Sequence, residues 1–200
     1  EKAPLNVAIK IKEKSLKADG PSLTKELISN FHISDIFKQY AIKFTKFYGY
    51  QFQFCDFCDY PESEPIAKCP SQIYPKQKLF GMIVNTDITG GAGIHWFALF
   101  IDMIARPCTI EYFNSSGNKP LIYISKWMYN FQDKLQKKGI SADIVLANDN
   151  YQHQYGNTEC GLYSLYYVWS RLNNISHTQF NNGKRISDDK MTTFRQQLFK

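Results

Sequence analysis

The sequence predicts an α+β fold in which a small mixed sheet packs between helices. Short, near-continuous apolar runs, typical of strands buried on both faces, occur among longer segments of helical periodicity. The 200 residues, 44% of them hydrophobic, are enough for one domain with its own core. No apolar run reaches the roughly 18 residues that a bilayer-spanning helix needs. We therefore expect a single domain over residues 1–200, without membrane insertion.

Residues 1–75 are predicted to form a mainly helical lead-in followed by an irregular connection. Ser22 with Glu26, and Ser34 with Asp35, are typical of two helix starts. Residues 48–74 are rich in aromatic, proline and acidic residues, which favours an irregular connection. The chain begins with Glu1 rather than Met, which is compatible with a longer protein that has a preceding N-terminal segment.

Residues 76–200 carry the predicted sheet and most of the predicted helices. The apolar runs predict strands at 79–84, 95–103, 109–113 and 144–146. Helical periodicity predicts helices at 121–138, 160–172 and 187–199. The segment 160–172 is apolar nearly all round, so we expect this helix to be buried in the middle of the fold.

Cys160 is the first candidate for chemistry. The five cysteines are an odd number without a secretory signal, which favours a reducing compartment and at least one free thiol. Cys160 opens the buried helix, and Asn157 or Thr158 precedes it as a candidate N-cap. Since backbone N–H groups and the helix dipole favour a thiolate at that place, we expect its pKa to be lowered.

A histidine and two amides extend this candidate site. His95 leads a strand, after a glycine-rich loop that contains Gly91, and Asn114 lies 19 residues further on, at the end of the next strand. We expect the Asn114 oxygen to accept the Nδ1 proton of His95, which would leave Nε2 towards the thiol. Gln154, six residues before Cys160, is a candidate oxyanion donor together with the Cys160 backbone N–H. Gln152 is the alternative donor.

Other patterns are weaker. Cys55, Cys58 and Cys69 are compatible with zinc, a disulfide or reduced packing thiols; the thiols are favoured, because four zinc ligands at the usual spacing are lacking. No metal or other cofactor is predicted.

The net charge is +6, and residues 1–50 hold nine lysines against five acidic residues. This excess is compatible with contact with nucleic acid or with solvated lysine faces, and the solvated faces are favoured.

Four motifs follow one another along the chain: His95-Trp96, Tyr112-Phe113-Asn114-Ser115, Gln154 and Cys160-Gly161. Taken together, they resemble the SUMO-specific and adenovirus-type cysteine proteases over roughly residues 79–172. The resemblance implies a papain-like core with its nucleophile at the N-terminus of a buried helix. It also implies that Cys160 is the nucleophile, His95 the base and then the acid, and Gln154 the oxyanion donor, with Trp96 beside the imidazole. Asn114 departs from the family, which mostly has Asp or Glu there.

The same resemblance implies an endopeptidase that cuts viral polyproteins after paired glycines (Gly-Gly-Xaa) through a thioester during virion maturation. It would act in the host cytoplasm and the virion, with Trp96, Gly161 and Gly91 near the substrate. Three alternatives remain: a deconjugase of a ubiquitin-like modifier, an acyltransferase with the same Cys–His pair, and an inactive binding module.

Overall fold

The computed structural model describes residues 17–23, 25–57 and 76–200. In these ranges the helices are α1 (Asn30–Lys43), α2 (Ile122–Gln136), α3 (Cys160–Leu172) and α4 (Asp188–Leu198), with a short 3₁₀ helix at His177–Phe180. The strands are β1 (Phe47–Gly49), β2 (Gln53–Phe54), β3 (Leu79–Asn85), β4 (Trp96–Asp102), β5 (Cys108–Phe113) and β6 (Ala142–Leu146).

The single-domain prediction for residues 1–200 stays a prediction. Cys58 and Cys69 lie outside the described residues, so the alternatives for that cysteine group stay predictions too.

The strands form one mixed sheet, as predicted. Its order is β1-β3-β4-β5-β6, and β2 pairs with β3 beyond the end of β1. The central strands β3, β4 and β5 are antiparallel. The outer strands are parallel to their neighbours: β1 and β2 to β3, and β6 to β5.

The sheet separates two apolar layers, which confirms the prediction of a sheet between helices. Alternate residues of β4 face opposite layers: Ala98 and Phe100 pack with α1, α3 and α4, whereas Phe97 and Leu99 pack with α2. Helix α3 is buried along most of its length, as its sequence predicts. In the described part of the chain, no helix is long and apolar enough to cross a membrane.

The predicted helix starts at Ser22 and Ser34 are wrong. Helix α1 begins after Ser29, whose hydroxyl accepts from the His32 backbone N–H at 3.3 Å, while His32 Nδ1 accepts from the Ser29 N–H at 3.1 Å. This is a capping box with histidine in place of the usual Glu or Gln, so the sequence signature missed it. Strands β1 and β2 lie in the segment predicted to be irregular; they are too short to show a period.

A buried ion cluster fastens α3 to the sheet. Glu111 of β5 is fully buried and accepts from the Tyr167 hydroxyl at 2.6 Å and from Arg171 Nε at 2.8 Å. Tyr167 also stacks on Phe113 at a ring distance of 4.7 Å. Because every one of these groups lies on β5 or α3, the cluster fixes the position of the helix on the strand.

We predict that Arg171→Ala lowers the free energy of unfolding by about 3–5 kcal/mol, because it leaves the Glu111 carboxylate buried without its cation. Lys137→Ala is the matched control. It breaks the exposed i,i+4 pair with Asp133 and should cost about 0.5 kcal/mol or less. Urea denaturation of both variants measures the difference, and equal losses would contradict a stabilising role for the cluster.

Candidate active site

Cys160 is the first residue of α3 and is buried. The backbone N–H groups of Trp96, Gly161 and Cys160 itself lie close enough to the sulfur to favour the thiolate. The N-cap position is Glu159, without a side-chain cap, so the predicted cap at Asn157 or Thr158 is wrong. The Thr158 hydroxyl donates instead to Glu159 Oε1 at 2.6 Å. Since no side chain caps the helix, its first N–H groups remain for the sulfur.

The expected lowering of the thiol pKa is also wrong. Burial raises the pKa of Cys160, and the nearby Glu159 carboxylate raises it further. The backbone N–H groups of Trp96 and Gly161 act in the opposite direction but do not outweigh the burial. Burial likewise lowers the pKa of His95. Both shifts favour the uncharged thiol and the uncharged imidazole.

His95 and Asn114 meet as predicted, but through the other ring nitrogen. His95 Nε2 lies 2.7 Å from Asn114 Oδ1. An amide oxygen only accepts, so Nε2 carries the proton, and in the neutral ring the lone pair is on Nδ1. The prediction that Nδ1 contacts Asn114 is therefore wrong. The sequence places the two residues at neighbouring strand ends but does not fix the rotation of the ring.

Both polar atoms of the Asn114 side chain form hydrogen bonds. Its Oδ1 also accepts from the Ser116 backbone N–H at 3.1 Å and from the Ser116 hydroxyl at 2.8 Å. Its Nδ2 donates to the Tyr112 hydroxyl oxygen at 3.0 Å. The backbone of Asn114 is paired with Asn148, whose Oδ1 accepts from the Asn114 N–H at 3.2 Å. The residue is thus fixed both in position and in orientation.

Gln154 is buried next to the same strand end. Its Oε1 accepts from the Ser115 hydroxyl at 2.7 Å, and its backbone N–H donates to the Ser115 carbonyl at 2.9 Å. One hydrogen of Nε2 is donated to the Gly156 carbonyl at 2.7 Å, which leaves the second hydrogen for another acceptor. The alternative residue, Gln152, is exposed and donates to the Gln154 carbonyl.

Trp96 and Gly161 line one side of the thiol. A Cβ added at Gly161 would lie 3.3 Å from Trp96 Cδ1 and 2.5 Å from Ile28 Cγ1, so the three residues are in tight contact. The Trp96 ring meets Phe52 edge-on at 6.1 Å. Neither Ile28 nor Phe52 belongs to the predicted site, because both come from the N-terminal lead-in.

Gly91 lies in the loop before His95. The loop is held by acidic and amide side chains: Asp87 Oδ2 accepts from the Gly93 N–H at 3.0 Å, and Asn85 Oδ1 accepts from the Ile94 N–H at 3.0 Å. The predicted contact between Gly91 and a substrate stays a prediction.

Sequence reasoning missed Asn148, although a signal for it exists. Strands β5 and β6 are parallel, and the carboxyl ends of parallel neighbours meet at the same edge of a sheet. Asn114 follows β5, and Asn148 comes two residues after β6. When two paired parallel strands are each followed by a polar residue, those two residues are expected to lie side by side.

A thiol at a helix start, an imidazole just before β4 and an amide that fixes the imidazole are the groups of a cysteine protease. Comparison with known proteins agrees with this class. Residues 70–200 match the family described as "Ulp1 protease family, C-terminal catalytic domain". The chain belongs to this family and is a cysteine protease.

Its similar proteins include viral ones. The chain is 37% identical to the "SUMO-1 cysteine protease S273R" of African swine fever virus, over 94% of this chain and 73% of that protein. The crystal structure of the African swine fever virus pS273R protease has a TM-score of 0.81 and 32% identity, and covers 98% of this chain and 79% of that one. The yeast Ulp1 domain in complex with Smt3 has a TM-score of 0.62 at 11% identity, over 99% of this chain and 94% of that one. The likeness to the Ulp1 domain concerns the fold alone.

We predict that the pKa of His95 rises in Asn114→Asp. The carboxylate would lie against the Nε2 proton and would favour the imidazolium. Titration by NMR should give a wild-type midpoint below about 6.5, the ordinary value, and a higher midpoint in the variant. His153, buried on backbone partners, is the internal control and should not move. An unchanged His95 midpoint would argue against the contact.

A second prediction concerns the tight contact at Gly161. The methyl group in Gly161→Ala would collide with Ile28, so the variant should lose about 1–3 kcal/mol of stability. Ile28→Ala removes the side chain with which that methyl group collides. The double variant should therefore be more stable than the sum of the stability losses of the two single variants predicts. Thermal or urea unfolding of the four proteins completes the cycle; strictly additive losses would exclude the contact.

Proposed function

We propose that the protein is an endopeptidase that cleaves after paired glycines, with Cys160 as nucleophile, His95 as base and acid, Asn114 as the group that orients His95, and Gln154 as oxyanion donor. One observation carries the proposal: these residues lie together at the end of β5 and the start of α3. The Cys160 sulfur is close to the backbone N–H of Trp96, the residue that follows His95. His95 bonds Asn114, and the following residue, Ser115, bonds Gln154.

The first step is proton transfer from the Cys160 thiol to His95 Nδ1. The ring is already in the required tautomer, since Asn114 holds the proton on Nε2. Burial favours the neutral forms of both groups before this transfer. The sulfur then attacks the carbonyl carbon of the glycine before the scissile bond.

The attack places a negative charge on the carbonyl oxygen. The Cys160 backbone N–H and the second hydrogen of Gln154 Nε2 are the donors we assign to it. Ser115 holds the Gln154 amide in the orientation that keeps Nε2, rather than Oε1, available. A donor fixed in this way is worth about 10²–10³ in rate when it stabilises an oxyanion.

The intermediate collapses when His95 Nδ1 returns its proton to the leaving amine. The C–N bond breaks, and Cys160 carries the new N-terminal fragment as a thioester. A water molecule then gives its proton to the same nitrogen and attacks the thioester carbon. The C–S bond then breaks, the fragment leaves as a carboxylic acid, and His95 Nδ1 returns the proton to the sulfur to restore the thiol.

We propose glycine as the residue before the cut because the chain resembles proteases that cut after paired glycines. The packing of Trp96 and Ile28 against Gly161 leaves no room for a methyl group on the enzyme's own backbone, so it fixes the residue that follows the nucleophile. By analogy with the viral relatives, we propose polyproteins as the substrates and the host cytoplasm and virion as the places of action.

A deconjugase of a ubiquitin-like modifier is the second candidate. It is favoured by the family and by the likeness to a Ulp1 domain that was solved with Smt3, the yeast ortholog of SUMO. The two candidates share one chemistry and differ in whether a folded modifier must dock.

The test is the cleavage of a peptide with an internal Gly-Gly-Xaa site by wild type, Cys160→Ala and Cys55→Ala. Cys55 is also a buried free thiol, so Cys55→Ala is the matched control. We expect no detectable cleavage by Cys160→Ala and near-normal cleavage by Cys55→Ala. A peptide with Ala-Ala in place of Gly-Gly should be cut at least tenfold more slowly.

A SUMO–protein conjugate in the same assay separates the candidates. Efficient release of SUMO with poor cleavage of the peptide would favour the deconjugase. Cleavage of neither substrate together with equal iodoacetamide labelling of all the thiols would favour a binding module. Retained cleavage by Cys160→Ala would refute the proposal.

A further inference from the structure

We propose that Tyr112 is a positioning residue: its hydroxyl fixes which way the Asn114 amide points, and the amide in turn sets the tautomer of His95. The inference rests on the proposed function, in which His95 takes the thiol proton. Tyr112 lies on β5, two residues before Asn114, so strand alternation places both side chains on the same face of the sheet.

An asparagine side chain has two orientations of nearly equal shape but opposite polarity. With Oδ1 towards His95, the ring holds its proton on Nε2 and offers a lone pair at Nδ1. With Nδ2 towards His95, the ring would have to accept at Nε2 and carry its proton on Nδ1. Such an imidazole has no lone pair for the thiol proton, so the flipped site is inactive.

Two neighbours select the productive orientation. On the Oδ1 side, the Ser116 backbone N–H and hydroxyl both donate, at 3.1 and 2.8 Å, and a flipped Nδ2 would oppose the backbone donor. On the Nδ2 side, the Tyr112 oxygen accepts at 3.0 Å while its own proton goes to the Asn118 carbonyl at 3.1 Å. Because that carbonyl uses the phenolic proton, Tyr112 presents a lone pair to Asn114.

Tyr112 is suited to this role because it stays neutral. The side chain is buried, and burial raises its pKa to about 12. Its ring packs on Phe97 at 5.2 Å, a contact that phenylalanine preserves. Deletion of the hydroxyl therefore removes the acceptor with little change in packing.

A carboxylate at position 114 would not need Tyr112. Asp has two equivalent oxygens and no N–H, so either orientation accepts the Nε2 proton. The role of Tyr112 is thus specific to an amide, and it should disappear in Asn114→Asp. This dependence separates orientation of the amide from simple support of the core.

The experiment compares kcat/KM for the Gly-Gly-Xaa peptide with and without Tyr112→Phe, first in the Asn114 protein and then in Asn114→Asp. We expect a loss of about tenfold, mainly in kcat, in the Asn114 protein, the scale of one unsatisfied buried donor. In Asn114→Asp the same substitution should cost less than about twofold, because no N–H loses its acceptor. An equal loss in both backgrounds would overturn the proposal.

The controls separate the positioning role of Tyr112 from a general effect of removing a buried hydroxyl and from failure of the proposed function. Tyr40→Phe removes another buried hydroxyl, bonded to the Leu165 carbonyl, and should leave kcat/KM unchanged. Histidine labelled with 15N gives a readout that does not require turnover: His95 should be protonated at Nε2 in wild type, and Tyr112→Phe should raise the Nδ1-protonated fraction. An unchanged tautomer would refute the positioning role even if Asn114→Asp is inactive. Activity in Cys160→Ala would instead refute the proposed function.

Discussion

The register between β4 and β5 is the constraint on which the candidate site depends. Ala98 pairs with Phe113, so His95, just before β4, lies beside the residues that follow β5. A slip of one residue would move Phe97 and Leu99 out of the α2 layer and Phe100 out of the α3 layer. The apolar cores on both faces therefore fix the register, and with it the contact between His95 and Asn114. The geometry of the site follows from the packing of residues that perform no chemistry.

The resting site is built from neutral groups. Burial raises the pKa of Cys160 and lowers that of His95, and Asn114 adds no charge. A buried carboxylate in place of the amide would carry a desolvation penalty and would favour a protonated imidazole. The amide avoids both effects, but it has to be oriented by its neighbours. The polar residues around the end of β5 meet that requirement with a dense set of hydrogen bonds.

The sequence predicts much of this arrangement, but only where periodicity or strand order decides it. The buried helix α3, the central strands, and the meeting of His95 with Asn114 follow from such patterns. The ring nitrogen that faces Asn114 depends on a side-chain torsion, which no pattern encodes. The start of α1 depends on an atypical capping residue, His32. The direction of the Cys160 pKa shift depends on how deeply the thiol is buried, which only tertiary packing decides.

The cluster around Glu111 has a consequence for the alignment of the site. Its partners Tyr167 and Arg171 lie one turn apart on α3, so they fix both the rotation of the helix and its position along its axis. Glu111 stands on the strand that ends beside Asn114. A shift of α3 by one residue would move its N-terminus by about 1.5 Å, and a displacement of about 1 Å is enough to cost roughly 10²-fold in rate. A charge cluster remote from the thiol thus fixes the distance between the helix that carries the nucleophile and the strand that leads to Asn114, the residue that orients the base.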